Sequence, residues 1–155
     1  MSGAIRIVAA GPQDAADIAA LHALCFEAGW DEKAVGDILA MPGAFALVAE
    51  WPQADDVLYV GFVLARAAAG EAEILSIGVA PAARGAGLGL VLLEAAIVRA
   101  MAMGAQSLFL EVAGDNRPAV GLYEKRGFVR VGVRPGYYAR KEGSAAALVM
   151  RLDLE

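Results

Sequence analysis

One cysteine and one histidine in 155 residues close several routes at once. Cys25 alone rules out an internal disulfide and suits a chain kept in a reducing cytoplasm. With only His22 beside it there is no paired ligand spacing, and no metal site is expected. Basic charge is scarce as well. Thirteen Lys and Arg against 18 Asp and Glu leave a net charge of −5, and a pI near 4.9 argues against the electrostatic footprint of a nucleic-acid binder. That balance is compatible with a basic acceptor. Although 59% of residues are hydrophobic and mean hydropathy is +0.54, much of the excess is alanine. The longest helical stretch, Leu88 to Met103, is interrupted by Glu94 and Arg99, short of the run of about 18 apolar residues that a membrane span requires. The opening Met1-Ser2-Gly3-Ala4-Ile5-Arg6 has no basic region leading into an apolar run and no small-residue cleavage site, so export is not expected. Repeats, low-complexity tracts and linkers are missing, and the length fits a single domain over residues 1–155.

Periodicity and punctuation give an element order. Ile5 to Ala9 reads as a strand. Gly11-Pro12-Gln13-Asp14 opens a helix to about Cys25, with Ala15, Ile18, Ala19, Leu21, His22 and Cys25 near helical spacing. Asp31 offers an N-cap for a helix from Glu32 to about Met41, stopped by Pro42-Gly43. Ala44–Glu50 and Val57–Ala67 read as a hairpin around a polar turn, Trp51 to Asp56. A strand over Ala72–Val79, a glycine loop, a helix closed by Gly104 and a strand over Ser107–Val112 follow. Asp115-Asn116-Arg117-Pro118 caps a helix ending at Gly127. Phe128–Val133 and Ala146–Leu152 close the domain as strands around a loop, Arg134 to Ser144. The strand-helix-strand crossover through residues 72–112 predicts one parallel pair in a mostly antiparallel sheet, an α/β fold with flanking helices.

The loop Arg84-Gly85-Ala86-Gly87-Leu88-Gly89 between an apolar strand and an apolar helix is shaped for phosphate. Glycines admit close approach and positive φ, and the helix start presents free N–H groups to an anion. A Walker loop would need Lys and Ser/Thr where Leu90 and Val91 stand. The dinucleotide G-x-G-x-x-G fails from either Gly85 or Gly87. A plain glycine turn remains the alternative.

Further along, Asn116 to Phe128 reads N-x-x-A-x-x-L-Y-x-x-x-G-F, preceded by Leu110-Glu111-Val112. Arg84-x-x-Gly87-x-Gly89 after Val79-x-Pro81 resembles the pyrophosphate-binding segment of the GNAT superfamily of acetyl-CoA-dependent N-acetyltransferases, and the second motif resembles its other cofactor-contacting segment. The element order matches that fold over essentially the whole chain. Leu-Glu-Val, Gly136-Tyr137-Tyr138 and the early Cys25-Phe26-Glu27-Ala28-Gly29-Trp30-Asp31 look like the RimI-type N-terminal alanine acetyltransferases.

The resemblance implies acetyl-CoA held by Ile77, Gly78, Val79, Arg84, Gly85, Ala86, Gly87, Leu88, Gly89, Asn116 and Tyr123. It also implies a β-bulge at Ile77-Gly78-Val79 that splays this strand from its parallel neighbour. Freed amides there would hold the pantetheine arm and polarise the thioester carbonyl. Typical relatives carry alanine where Gly78 stands, which implies a slightly looser strand. An acceptor groove walled by Trp30, Tyr137 and Tyr138, a peptide or protein N-terminus as acceptor, a small-subunit ribosomal protein among the candidates, and a monomer or weak homo-oligomer complete the expectation.

The residues make chemical sense by themselves. Acetylating an amine requires its deprotonation, and a free α-amino group with pKa about 7.7–8.0 suits a carboxylate base near neutrality. Glu111, on a strand face shared with Ser107 and Phe109, is the candidate base; a solvent-facing strand glutamate is the alternative. Tyr123 is the candidate acid for the departing thiolate, with a core tyrosine as the alternative. Asn116 suits both a helix cap and a cofactor contact. The resemblance implies Glu73 as the alternative base, since some GNAT enzymes place a catalytic glutamate on that strand. His22 reads as packing, and Cys25 as a covalent acetyl carrier is not needed for direct transfer. Action on a small amine or a lysine, or noncatalytic acetyl-CoA binding, are the competing functions; retention of both Glu111 and Tyr123 argues against the last.

Overall fold

The computed structural model of the chain describes residues 4–140 and 143–154. Its strands are β1 Arg6–Ala10, β2 Ala44–Gln53, β3 Asp56–Ala68, β4 Glu71–Val79, β5 Ser107–Ala113, β6 Val129–Arg140 and β7 Gly143–Asp153. The helices are α1 Ala15–Cys25, α2 Glu32–Leu39, α3 Leu88–Ala102 and α4 Arg117–Arg126. The strands form one sheet in the order β1-β2-β3-β4-β5-β7-β6. Among the described residues, only β4 and β5 run parallel, because α3 carries the chain back to the starting end of the sheet between them.

Alternation along the central strands sorts their side chains between two apolar layers. In β2, Phe45, Leu47 and Ala49 face the cluster built with α3 and α4, whereas Ala46 and Val48 face the one built with α1 and α2. Helix α3 buries Leu88, Leu92, Leu93, Ala96, Ile97 and Ala100 along one stripe, each leucine contributing about 1.5–3 kcal/mol of burial. On β5 and β7, Leu108, Leu110, Leu148 and Met150 turn to that same cluster. Phe109 and Glu111, only partly buried, alternate with them and face the opposite side. That side carries clefts.

Several boundaries differ from the sequence reading. The first helix is preceded by a 3-10 turn, Pro12–Asp14, because the Asp14 carboxylate accepts the Gly11 N–H at 2.9 Å and tightens the entry. Helix α2 ends at Leu39 rather than Met41. Trp51 to Gln53 continue β2, paired as far as Gln53↔Asp56, so the polar turn shrinks to Ala54-Asp55. Most consequentially, Arg134 to Arg140 are not a loop but an extension of β6, paired Tyr138↔Ala145 and Arg140↔Gly143. Pro135 has no N–H to offer the ladder and Gly136 takes φ +65°, so the register slips between Arg134 and Tyr138 before pairing resumes.

Candidate active site

The parallel pair ends early. β4 and β5 are in register from Glu71↔Ser107 to Ile74↔Leu110, and beyond that point the strands part. The bulge expected at Ile77-Gly78-Val79 lies instead at Leu75: Ile74 pairs with Ala65 and Ser76 with Leu64, leaving Leu75 as the extra residue. An extra residue on one strand increases local twist and bends it, which accounts for the parting at that level. Ile77, Gly78 and Val79 pair with Val63, Phe62 and Gly61 on one side only. Their side toward β5 has no strand in register.

Around this opening stand the other donor-site candidates. Gly85 and Gly87 adopt φ +90° and +79°, and Gly87 is the left-handed N-cap of α3 with no side-chain cap. The fifteen-residue helix therefore begins with uncapped N–H groups at an exposed loop, a geometry that attracts anions. Arg84 holds the loop to its strand, donating from Nε to the Val79 carbonyl at 2.9 Å. Leu88 is buried and anchors the helix start, while Ala86 is exposed. Gly89 has no positive φ; a Cβ there would lie 3.8 Å from Leu122, an ordinary contact between α3 and α4. Asn116 caps α4, accepting the Ala119 N–H at 3.4 Å.

Gly78 has a tighter role than the looser strand expected of it. A Cβ at that position would come within 2.9 Å of the Phe62 ring and 3.0 Å of Cys25 Sγ. The thiol fills the space a side chain would take. Burial pushes the Cys25 thiol up from its usual range, against the opposing pull of the nearby Arg84 guanidinium. Gly78→Ala is therefore expected to cost about 1–3 kcal/mol by overpacking. In a urea-unfolding cycle with Cys25→Ala, the double variant should lose less than the sum of the singles. Strict additivity would show that the two residues do not share that space.

Glu111 is the first β5 residue past the end of the parallel register. Its carboxylate accepts an ion pair from Arg134, 3.1 Å from Nη2 to Oε1, and the Arg134 guanidinium lies 5.2 Å over the Tyr137 ring. The strand face that Glu111 shares with Phe109 is thus also a charged one. A cleft of about 320 Å³ is lined by Glu71, Glu73, Phe109, Leu110, Glu111, Arg134 and Val149. A second, of about 390 Å³, continues past Glu71, Glu73 and Phe109 toward Met41 and Arg66. Glu73 thus shares the cleft with Glu111.

Tyr123 lies on the other layer, 6% exposed, its ring edge-on to Phe128 at 5.7 Å. Burial, with a smaller contribution from the neighbouring Tyr138 phenol, pushes its pKa up to about 12. That coupling also places Tyr138 within electrostatic reach of Tyr123. Trp30, Tyr137 and Tyr138 are not among the residues lining either cleft. Tyr137 is exposed and packs edge-on against Tyr138 at 5.1 Å, bordering the cleft through Arg134.

His22, 3% exposed, is packed as expected but also hydrogen-bonded at both ring nitrogens, to the Trp30 N–H at 3.0 Å and the Ser76 hydroxyl at 3.1 Å. Burial holds its pKa below the ordinary 6.5. The unfolded chain takes up that proton first, so the stabilisation is fully present above pH 6.5 and is lost as pH falls toward the folded-state value. Urea midpoints should thus drop between pH 7 and pH 5. The drop should be smaller in His22→Asn; an equal drop would assign the acid loss to other groups.

Arg134 and Phe109 on the cleft lining, and Ser76 on His22, are site residues beyond those the motifs mark. Phe109 was legible from its alternation with Glu111. Arg134 and Ser76 carry no local signal, because their partners are 23 and 54 residues away in the chain. Among the described residues, no group of three His, Cys, Asp or Glu is arranged to hold a metal ion, and no helix is long and apolar enough to cross a membrane.

Comparison with known proteins sets this geometry in context. The profile of the Acetyltransferase (GNAT) family matches residues 15–128. The chain is 35% identical over 101 residues to the [ribosomal protein bS18]-alanine N-acetyltransferase of Salmonella typhimurium, spanning 65% of this chain and 68% of that one. To the Escherichia coli K12 protein of the same name it is 34% identical over 93 residues, 60% of this chain and 63% of the other. The crystal structure of the ribosomal-protein-S18-alanine N-acetyltransferase from Escherichia coli superposes with a TM-score of 0.89 at 25% identity, covering 98% and 95% of the two chains.

Proposed function

The chain belongs to the acetyltransferase (GNAT) family, and from that premise we propose that it transfers the acetyl group of acetyl-CoA to the N-terminal α-amino group of a protein beginning with alanine. The acceptor we favour is a small-subunit ribosomal protein, as the names of its relatives say of them. The observation that carries this reading is the position of Glu111, at the level where β4 and β5 part and on the wall of a cleft rich in carboxylates. Glu71, Glu73 and Glu111 make that cleft attractive to an ammonium group.

In this reading the donor lies in the opening between β4 and β5, its pyrophosphate at Arg84 to Gly89 and the start of α3. The amides of Ile77 and Val79, which alternate with the β3-facing Gly78 and Ala80, face the thioester oxygen, where a tetrahedral intermediate develops charge. The acceptor ammonium replaces Arg134 at Glu111 and gives up a proton to it. The amine then attacks the thioester carbon, the carbon–sulfur bond breaks, the thiolate takes the proton of Tyr123, and the second proton of the nitrogen leaves to solvent, from which the tyrosinate is reprotonated. Direct transfer leaves Cys25 without a covalent role.

The test is acetyl-CoA turnover on peptides with a free N-terminal alanine, beside the same peptides Nα-blocked but carrying a free lysine. Turnover is expected on the free-alanine peptides only. Reaction at lysine with none at the terminus would overturn the acceptor assignment.

A further inference from the structure

The segment between α1 and α2 is held more firmly than a connecting loop needs. Gly29 folds back onto α1 so closely that a Cβ there would stand 2.8 Å from the Ala23 Cα. At Trp30 the chain meets His22: the backbone N–H donates to Nδ1 at 3.0 Å, and the Trp30 and Phe26 rings stack on the imidazole with centroids 4.6 and 4.5 Å away. Asp31 then caps α2, accepting the Ala34 N–H at 2.8 Å. The accepting role of Nδ1 fixes the tautomer. A neutral ring that accepts at Nδ1 carries its proton on Nε2, so Nε2 donates to Ser76 Oγ at 3.1 Å. Ser76 is the β4 residue immediately after the extra residue Leu75 and immediately before Ile77-Gly78-Val79.

One buried side chain thus joins the Trp30 segment to the strand that forms one side of the opening. We propose that His22 is a positioning residue for acceptor binding, a neutral clasp that fixes the Phe26–Asp31 segment against β4 beside the opening in which the donor lies. The proposal rests on the acetyl-transfer reading above. With both nitrogens engaged, His22 is not available as a proton acceptor without breaking one of these bonds. Its action is exerted through Trp30 and Ser76 rather than on the reacting atoms.

The full-length chain with Trp51→Phe, which leaves Trp30 as the lone tryptophan, supplies the background for the test. His22→Phe keeps a stacking ring and removes both bonds, Ser76→Ala removes one end, and His22→Asn restores an acceptor near the Trp30 N–H. In His22→Phe the KM for the alanine peptide is expected to rise about fivefold to tenfold, the lower end of the effect of losing two hydrogen bonds. The KM for acetyl-CoA should stay within about twofold, the Trp30 amide should exchange with deuterium faster and its emission should shift, with Asn recovering part of each change. Ser76→Ala should move the peptide KM in the same direction, which decides the matter if His22→Phe does not fold. A peptide KM unchanged while Trp30 exchange quickens, or both KM values rising together, would overturn the proposal in favour of plain core packing. If the parent chain turns over no peptide, the acetyl-transfer reading fails and the role in acceptor binding falls with it; Trp30 exchange then reports only whether His22 holds the segment, and unchanged exchange in His22→Phe would overturn that too.

Discussion

Glu111→Gln is expected to lower kcat on an N-terminal alanine peptide at pH 7 by about 10²–10⁴-fold, the usual scale of a lost general base. The KM for acetyl-CoA should change little, because the donor candidates lie on β4, the Arg84–Gly89 loop and α4. Gln preserves the shape of the side chain and can still accept from Arg134, so the variant isolates loss of charge and proton affinity. The ion pair it replaces is half exposed on the arginine side, and such pairs contribute about 0–1 kcal/mol, so folding is not at stake. The pH dependence carries the discrimination. An α-amine with pKa about 7.7–8.0 is mostly protonated at pH 7 and mostly free above pH 9, so the acceptor increasingly supplies its own neutral form. The gap between parent and variant should therefore narrow as pH rises. A constant gap across that range would make Glu111 an electrostatic anchor rather than a proton acceptor, and no gap at all would remove it from the chemistry and turn attention to Glu73 in the same cleft.

The parts of this molecule legible in its sequence are those that depend on near neighbours. Helix starts at Asp31 and Asn116 and stops at Gly104 and Gly127 rest on a cap or a left-handed residue a few positions from the element they bound, and they stand where expected. The parallel pair followed from a crossover rule, and α3 with its glycine loop from periodicity and punctuation. What escaped is set by pairing at a distance. Pro135-Gly136 looks like a loop from within, yet β7 supplies enough partners across the hairpin to carry β6 through to Arg140. Leu75 has no property that marks it as the extra residue; only the register of β3 against β4 does. The same holds for the site. Glu111 and Tyr123 were read from motif and strand alternation. The arginine on Glu111 needed the β6 register, and the second bond of His22 needed α1 to be laid across β4. Trp30, expected to wall the acceptor groove, packs its ring on His22 instead of lining a cleft, so any influence on the acceptor passes through the segment it anchors.

Tyr123→Phe is expected to reduce kcat by about 10²–10³-fold with acetyl-CoA as donor, while the KM for acetyl-CoA moves by no more than about threefold. The substitution removes one oxygen and keeps the ring that packs edge-on against Phe128, so the buried layer around α4 should survive. Its chemistry turns on a mismatch. A phenol near pKa 12 facing a thiolate of ordinary pKa about 8.5 would give up its proton at a cost of roughly 5 kcal/mol, from about 3.5 pKa steps at 1.36 kcal/mol each. The donation is reasonable only if the thiolate is also taken out of water, since desolvation raises the proton affinity of either anion. A donor slot closed around the bound thioester would supply that condition, and the hydroxyl would then stabilise the sulfur as its charge grows. The raised pKa has a second consequence. Tyr123 remains protonated throughout the range in which the acceptor amine loses its proton, so parent kcat should show no descending limb between pH 8 and pH 10. A limb near pH 9 would point to an acid with a lower pKa than this buried phenol. Full activity in Tyr123→Phe would leave the tyrosine as a core residue and require the thiolate to be protonated by solvent.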